Sequence, residues 1–263
     1  MGKENQYMKL VLLACAMFAL LVQGKMAYAI VNMDDLHFRQ HQQGLSGAVN
    51  IKASQLSGNT ESSNIALSSQ LQWNQENYIN LFVLGHEYGK SNNQRNLNKS
   101  FIHLRHVRYF SDALDYEFFG QLEENEFTRL TYRGLLGAGV RLPFAAGDSH
   151  IAYFGLGGFH EVEKIASRAD SNEDGIHRTE RWNLYLLSRY KSGNGVKFSN
   201  TIYYQPSMDD TSDRRALFVS LLSVKATDSI AMQFSIELSN DSKPPIGVEN
   251  TDSTIRTGFE YVF

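Results

Sequence analysis

Hydrophobic and polar residues alternate singly over most of this chain, and a period of two predicts strands. The clearest stretch is 229–239. Ile230, Met232, Phe234, Ile236 and Leu238 share one face, while Ser229, Ala231, Gln233, Ser235, Glu237 and Ser239 share the other. Ile65, Leu67, Leu71 and Trp73 oppose Asn64, Ser68, Gln70 and Gln72 in the same way. Trp182, Leu184, Leu186 and Tyr190 oppose Arg181, Asn183 and Arg189. Turn residues divide the chain into about twelve such strands, at 45–55, 60–73, 77–89, 98–110, 114–127, 129–142, 149–163, 177–191, 194–206, 213–226, 228–240 and 252–263. Their length suits tilted strands of roughly 9–11 residues that cross a bilayer. The parity of 77–89, 98–110 and 213–226 is open, because a bulge could shift it.

The connections add an independent signal. Every second one, at 74–77, 111–115, 145–149, 192–195 and 226–229, is short and turn-like. The alternate set includes 90–97, 164–176, 207–212 and 241–251, which are longer and polar, together with short links at 57–59 and 126–128. Segregation of loop lengths to two ends is expected of an outer-membrane barrel with short periplasmic turns. The predicted fold is therefore all-β, a single transmembrane antiparallel β-barrel with an up-and-down meander over 45–263. A soluble periplasmic sandwich or lipocalin-like binder alternates similarly and stays as an alternative.

The two ends of the chain point to the same compartment. Lys3 and Lys9 precede an apolar run from Leu10 to Val22, and Ala27-Tyr28-Ala29 follows, the layout of a secretory signal peptide over 1–29. A polar lead-in covers 30–44. Removing 1–29 removes the only cysteine, and with Lys3, Lys9, Lys25 and Glu4 gone the 25 basic and 28 acidic residues become 22 and 27. That formal charge of −5 offers no nucleic-acid footprint. At the other end, Ile255, Thr257, Phe259, Tyr261 and Phe263 share one face, opposite Arg256, Gly258 and Glu260. This ending resembles the signal read by the outer-membrane barrel assembly machinery. Outer-membrane lipid and that machinery are the expected partners.

Leu56-Ser57-Gly58-Asn59-Thr60, Leu135-Leu136-Gly137-Ala138-Gly139-Val140-Arg141-Leu142 and Gly258-Phe259-Glu260-Tyr261-Val262-Phe263 together resemble the salt-induced outer membrane protein family, domain-of-unknown-function family 481. The resemblance covers roughly 45–263. It implies an outer-membrane barrel and supplies no reaction, substrate or site residue.

Strand parity assigns Lys52, Glu117, Glu123, Arg133, Arg141, Arg181, Arg189, Lys197, Glu237, Arg256 and Glu260 to the lumen. A basic lining would favour anions and give a narrow, weakly selective channel for small ions or solutes. The reading that a barrel this small favours is a closed, salt-bridged lumen with a structural role in the envelope. Asp170-Ser171-Asn172-Glu173-Asp174-Gly175 matches the first half of a calcium loop through Asp170, Asn172 and Asp174. Its twelfth position holds Arg181 in place of the bidentate glutamate. Asp209, Asp210 and Asp213 form a second acidic loop. His103 and His106, three apart in a strand, point to opposite faces and cannot share an ion. Glycines at 134, 137, 139, 155, 157 and 158 are read as close packing in the barrel wall. No serine–histidine set converges, so the chain is expected to be no enzyme; a barrel enzyme acting at the outer surface is the alternative.

Overall fold

The computed structural model describes residues 43–56, 62–147, 149–167 and 175–263. The predicted signal peptide, most of the lead-in, the turn at 57–59 and the candidate calcium residues Asp170, Asn172 and Asp174 lie outside the described residues. The strands are β1 (Gly44–Leu56), β2 (Ser62–Asn74), β3 (Tyr78–Ser91), β4 (Gln94–Ser111), β5 (Leu114–Asn125), β6 (Leu130–Ala146), β7 (His150–Ile165), β8 (Gly175–Lys191), β9 (Val196–Pro206), β10 (Arg214–Lys225), β11 (Ile230–Asp241) and β12 (Thr251–Val262). Each pairs antiparallel with its neighbours in sequence, and β12 returns to β1 to close a twelve-stranded barrel.

The closing seam runs from Ala48↔Val262 to Ala53↔Thr257. It ends in a reciprocal pair of backbone bonds, Gly47 N–H to Phe263 O and Phe263 N–H to Gly47 O, each 3.0 Å. Over those pairs closure leaves no open sheet edge, the condition for backbone at bilayer depth.

One predicted connection is corrected. The long loop expected over 90–97 is a two-residue hairpin turn. Asn92 and Asn93 both take positive φ, 48° and 61°. Two left-handed residues in succession match the strand twist, and asparagine tolerates them better than other non-glycine residues. The polar residues Gln94, Asn96 and Asn98 therefore continue β4. The long loops at 207–213 and 242–250 leave from one end, and the short turns and the C-terminus occupy the other.

The open parities also resolve. β3 turns Ile79, Leu81 and Val83 inward, and β10 turns Leu217, Val219 and Leu221 inward. Phe82, Leu84, Phe218 and Leu222 of the same strands face out, so both faces are apolar and alternation has little contrast. A barrel this narrow fills part of its interior with side chains. Tyr153, Tyr185, Leu187, Tyr203, Leu217 and Val219 form that plug. The Tyr185 ring lies over Gly155, where an added Cβ would meet it at 2.0 Å. Beside it, Gly157 on β7 and Gly139 on β6 bring their backbones so close that a Cβ on Gly157 would sit 2.4 Å from Ala138 O. These glycines make room for the rings and charged groups that project from β5, β6 and β8.

The outer face is apolar. Leu45, Leu136, Ile255 and Phe259 are exposed, and aromatic rings collect toward the short-turn end. Trp73 meets Tyr78 edge-on at 6.0 Å, Phe110 meets Tyr116 at 5.3 Å, and Tyr261 stacks on Phe263 at 6.2 Å. An apolar band with an aromatic belt is the surface a bilayer requires.

Candidate functional site

The interior is the only concave feature of the described barrel that gathers ionisable groups, and its charges fall into separate sets. Nearest the long loops, three arginines share five carboxylates. Arg133 contacts Glu123 at 2.7 Å, Glu161 at 3.3 Å and Glu163 at 2.9 Å. Arg181 contacts Glu161 at 3.2 Å and Asp213 at 2.9 Å. Arg215 reaches Glu161 at 2.5 Å, Glu163 at 3.1 Å and Asp241 at 2.9 Å. Glu161 thus bridges all three guanidinium groups. Burial of charge without partners costs several kcal/mol, so such a lattice holds together as a unit.

A second set lies deeper, toward the short turns. Glu117 is 0% exposed; it accepts from Tyr185 Oη at 2.9 Å and faces Arg105 at 3.6 Å. Arg141 pairs with Asp115 at 3.2 Å and lies 4.6 Å over the ring of Tyr153. With the aromatic plug, these two lattices fill much of the side of the lumen built by β5 to β10.

The other side, built by β1 to β3 and β11 to β12, is polar and less filled. There Arg256 reaches across the interior to Glu87 at 2.6 Å and contacts Glu237 at 3.3 Å. Three cavities succeed one another, two against this wall and the third among β8 to β12. One of about 240 Å³ lies toward the long loops and is lined by Lys52, Asn64, Glu87 and Arg256 among others. It shares Lys52, Ala66, Glu87 and Arg256 with one of about 130 Å³ that continues past Asn50, Gln70 and Gln233. Leu221 and Gln233 line both that cavity and a third of about 20 Å³, bounded by Arg189, Lys197 and Glu260. The third is the neck, with room for one or two waters at roughly 10–15 Å³ each. A separate cavity of about 190 Å³ opens among Arg133, Arg181, Asp213 and Lys243 beneath the 242–250 loop.

All eleven residues assigned to the lumen from parity turn inward, but they do not form one site. Glu123, Arg133 and Arg181 belong to the first lattice, and Glu117 and Arg141 to the second. Lys52, Glu237 and Arg256 line the upper seam, whereas Arg189, Lys197 and Glu260 line the neck. Sequence reasoning missed Glu87, Lys99, Arg105, Asp115, Glu161, Glu163, Arg215, Asp241 and Asp252, most of which are buried inside. For Glu161 and Glu163 a signal existed: Phe154, Leu156 and Val162 share the opposite parity. On the outer face, Ile255, Thr257, Phe259, Tyr261 and Phe263 all point away from the lumen.

The second acidic loop is occupied by bases. Asp213 accepts from Arg181, and Asp210 accepts from Lys243 at 2.5 Å. That bond holds the Asp210 carboxyl well below the usual carboxylate range. His103 faces inward against Gln121 at 3.0 Å, and His106 faces outward against Asn80 at 2.8 Å. His150 lies 3.1 Å from Ser188, not from Ser149.

By fold, the chain is similar to an outer membrane channel from Pseudomonas putida F1, with 10% identity over 88% of this chain and 100% of that chain and a TM-score of 0.55. It is similar to the NanC porin, with 10% identity over 81% and 98% and a TM-score of 0.50. The translocator domain of the autotransporter NalP from Neisseria meningitidis gives 13% identity over 85% and 90% and a TM-score of 0.50. At these identities the likeness concerns the fold. No curated protein matches the chain in sequence. The family described as "Protein of unknown function, DUF481" matches residues 49–263, and the chain belongs to that family.

Proposed function

We propose that this chain is an outer-membrane barrel, not an enzyme, and that it provides a narrow polar path for small ions or solutes. The carrying observation is the series of three cavities, two against the β1–β3 and β11–β12 wall and the third among β8 to β12, linked by shared lining residues and narrowed at Leu221 and Gln233. The apolar outer band and aromatic belt suit insertion with the short turns and C-terminus in the periplasm. The outward row from Ile255 to Phe263 is the segment offered to lipid and to the assembly machinery.

The test is stepwise conductance of the purified barrel in planar bilayers, with membrane fractionation and heat-modifiable gel migration to establish insertion. Steps small beside those of an open porin are the expected result. A second reading, a closed barrel with a purely structural role in the envelope, is favoured by the two ion lattices and the aromatic plug. Silence in the bilayer from a correctly folded sample would select it. Salt-dependent expression belongs to this proposal and is checked by transcript level after raising external NaCl. Calcium at Asp170, Asn172 and Asp174 is checked by calorimetry, with Asp170→Ala abolishing any heat observed.

A further inference from the structure

We infer that the seam prefers small anions, and that it does so through two basic stations in series. This rests on the channel reading above. The upper station is Lys52, Lys99 and Arg256; the lower station, at the neck, is Arg189 and Lys197. The carboxylates lining the same three cavities are Glu87, Glu237 and Glu260, so the path carries five basic groups against three acidic ones. Asp252, close by and acting on Lys99, reduces the excess without cancelling it.

The interior as a whole does not show this preference. The lattice of Arg133, Arg181 and Arg215 holds five carboxylates and is acid-rich. It lies among the β5–β10 strands and the loop carrying Asp213, away from the three cavities. The barrel therefore segregates its acidic excess from the seam and leaves the seam positive. In a narrow, low-dielectric lumen the sign of the nearest groups sets which ion enters.

A second, independent observation points to a ligand with acceptor atoms. Gln70 lines the middle cavity, is 7% exposed, and its Nε2 donor has no hydrogen-bond partner among the described residues. Buried amide donors are nearly always satisfied, so this one is available to a passing anion or to its water. Asn50 Oδ1, also unpartnered on the same cavity, is an acceptor and suits a water retained by that ion. The neck limits the class to chloride-sized ions and the smallest carboxylates.

The experiment is the reversal potential of the full barrel in planar bilayers across a KCl gradient, repeated with potassium acetate. Anion selectivity, with chloride ahead of acetate, is expected. The double substitution Arg189→Gln, Lys197→Gln should lower the anion-to-cation permeability ratio by about tenfold, the effect of a nearby charge after salt screening. Lys52→Gln tests the upper station separately and keeps the question answerable if the double variant fails to fold. Lys243→Gln, on a long loop, should leave the ratio unchanged. Conductance that is cation-selective, or insensitive to both sets of substitutions, overturns the inference while leaving the channel reading intact. No conductance in either salt overturns the channel reading and this inference with it.

Discussion

Replacing Arg215 with methionine separates two accounts of the buried ion lattice, as a cooperative unit or as a set of independent pairs. Arg215 offers one charged hydrogen bond to each of Glu161, Asp241 and Glu163. Methionine keeps much of the stem volume and removes the charge. The lattice then has two guanidinium groups for five carboxylates, and its formal charge moves from −2 to −3 in a buried site. Asp241 suffers most, since Arg215 is its only ion-pair partner among the described residues. Removing one side of a buried network costs about 3–5 kcal/mol. Glu161→Gln should be far milder, although Glu161 touches all three arginines. Arg133 keeps Glu123 and Glu163, Arg181 keeps Asp213, and Arg215 keeps Glu163 and Asp241. The formal charge falls in magnitude, and the expected cost is about 1–2 kcal/mol for weakened charged hydrogen bonds. The assay is reversible urea unfolding of the barrel in lipid vesicles, followed by tryptophan fluorescence and heat-modifiable migration. Equal costs for the two variants, or an Arg215→Met barrel as stable as the parent, would refute the reasoning, because charge balance would then not govern this lattice.

Gly155→Ala should cost about 1–3 kcal/mol, because its Cβ would drive the Tyr185 ring from its seat and break the Tyr185–Glu117 bond, and the same urea titration reads it. Deleting Phe263 removes both terminal backbone bonds of the β1–β12 seam; slower folding into vesicles, timed by gel migration, is expected, whereas Phe263→Tyr should fold at the parental rate. Asn92→Ala with Asn93→Ala should destabilise the β3–β4 hairpin by about 1–2 kcal/mol per left-handed residue, and Asn92→Gly with Asn93→Gly should not. The Asp210–Lys243 bond ties the 207–213 loop to the 242–250 loop. The Asp210 carboxyl is lowered and the Lys243 ammonium raised, chiefly by their mutual hydrogen bond. The tie is therefore complete between the ordinary values of 3.8 and 10.5, weakens as pH falls below that of the acid, and weakens as pH rises above that of the base. Protease cleavage in 242–250 should be flat from pH 5 to 9 and rise only in Lys243→Gln; cleavage that climbs within that window contradicts the assignment.

The pattern of one residue in and one residue out carries a barrel's architecture, and it fails where the interior stops being polar. Strands such as β11 and β12 face lipid on one side and the polar seam on the other, so Phe234 and Phe259 contrast with Gln233 and Glu260 and their parity is legible. β10 faces lipid on one side and the plug on the other, and β3 faces lipid on one side and turns Leu81 and Val83 into a separate apolar cluster with Phe101 on the other. Ile79 and Leu217 are both 0% exposed although they point into the lumen, and nothing in the local sequence distinguishes them from Phe82 or Phe218 outside. Uncertain parity in β3, β4 and β10 cost the reading Glu87, Lys99, Arg105 and Arg215. The charge pairs were beyond reach for a different reason. Arg133 meets Glu123 and Glu163 because β6 lies between β5 and β7 in a register that sets Glu123↔Arg133↔Glu163 in one row. That row is fixed by bulges at both joints, between Glu123 and Asn125 and between Leu130 and Tyr132, which alternation within a single strand cannot reveal. The strands whose parity is hard to read and the strands that fill the lumen are thus partly the same ones. The seam, by contrast, is lined by several of the strands with the cleanest alternation, so a sharp in–out pattern marks where this barrel leaves room for water. If the conduction path lies elsewhere, substitutions in β1, β11 and β12 will leave conductance untouched, and this link between alternation and an open wall fails with them.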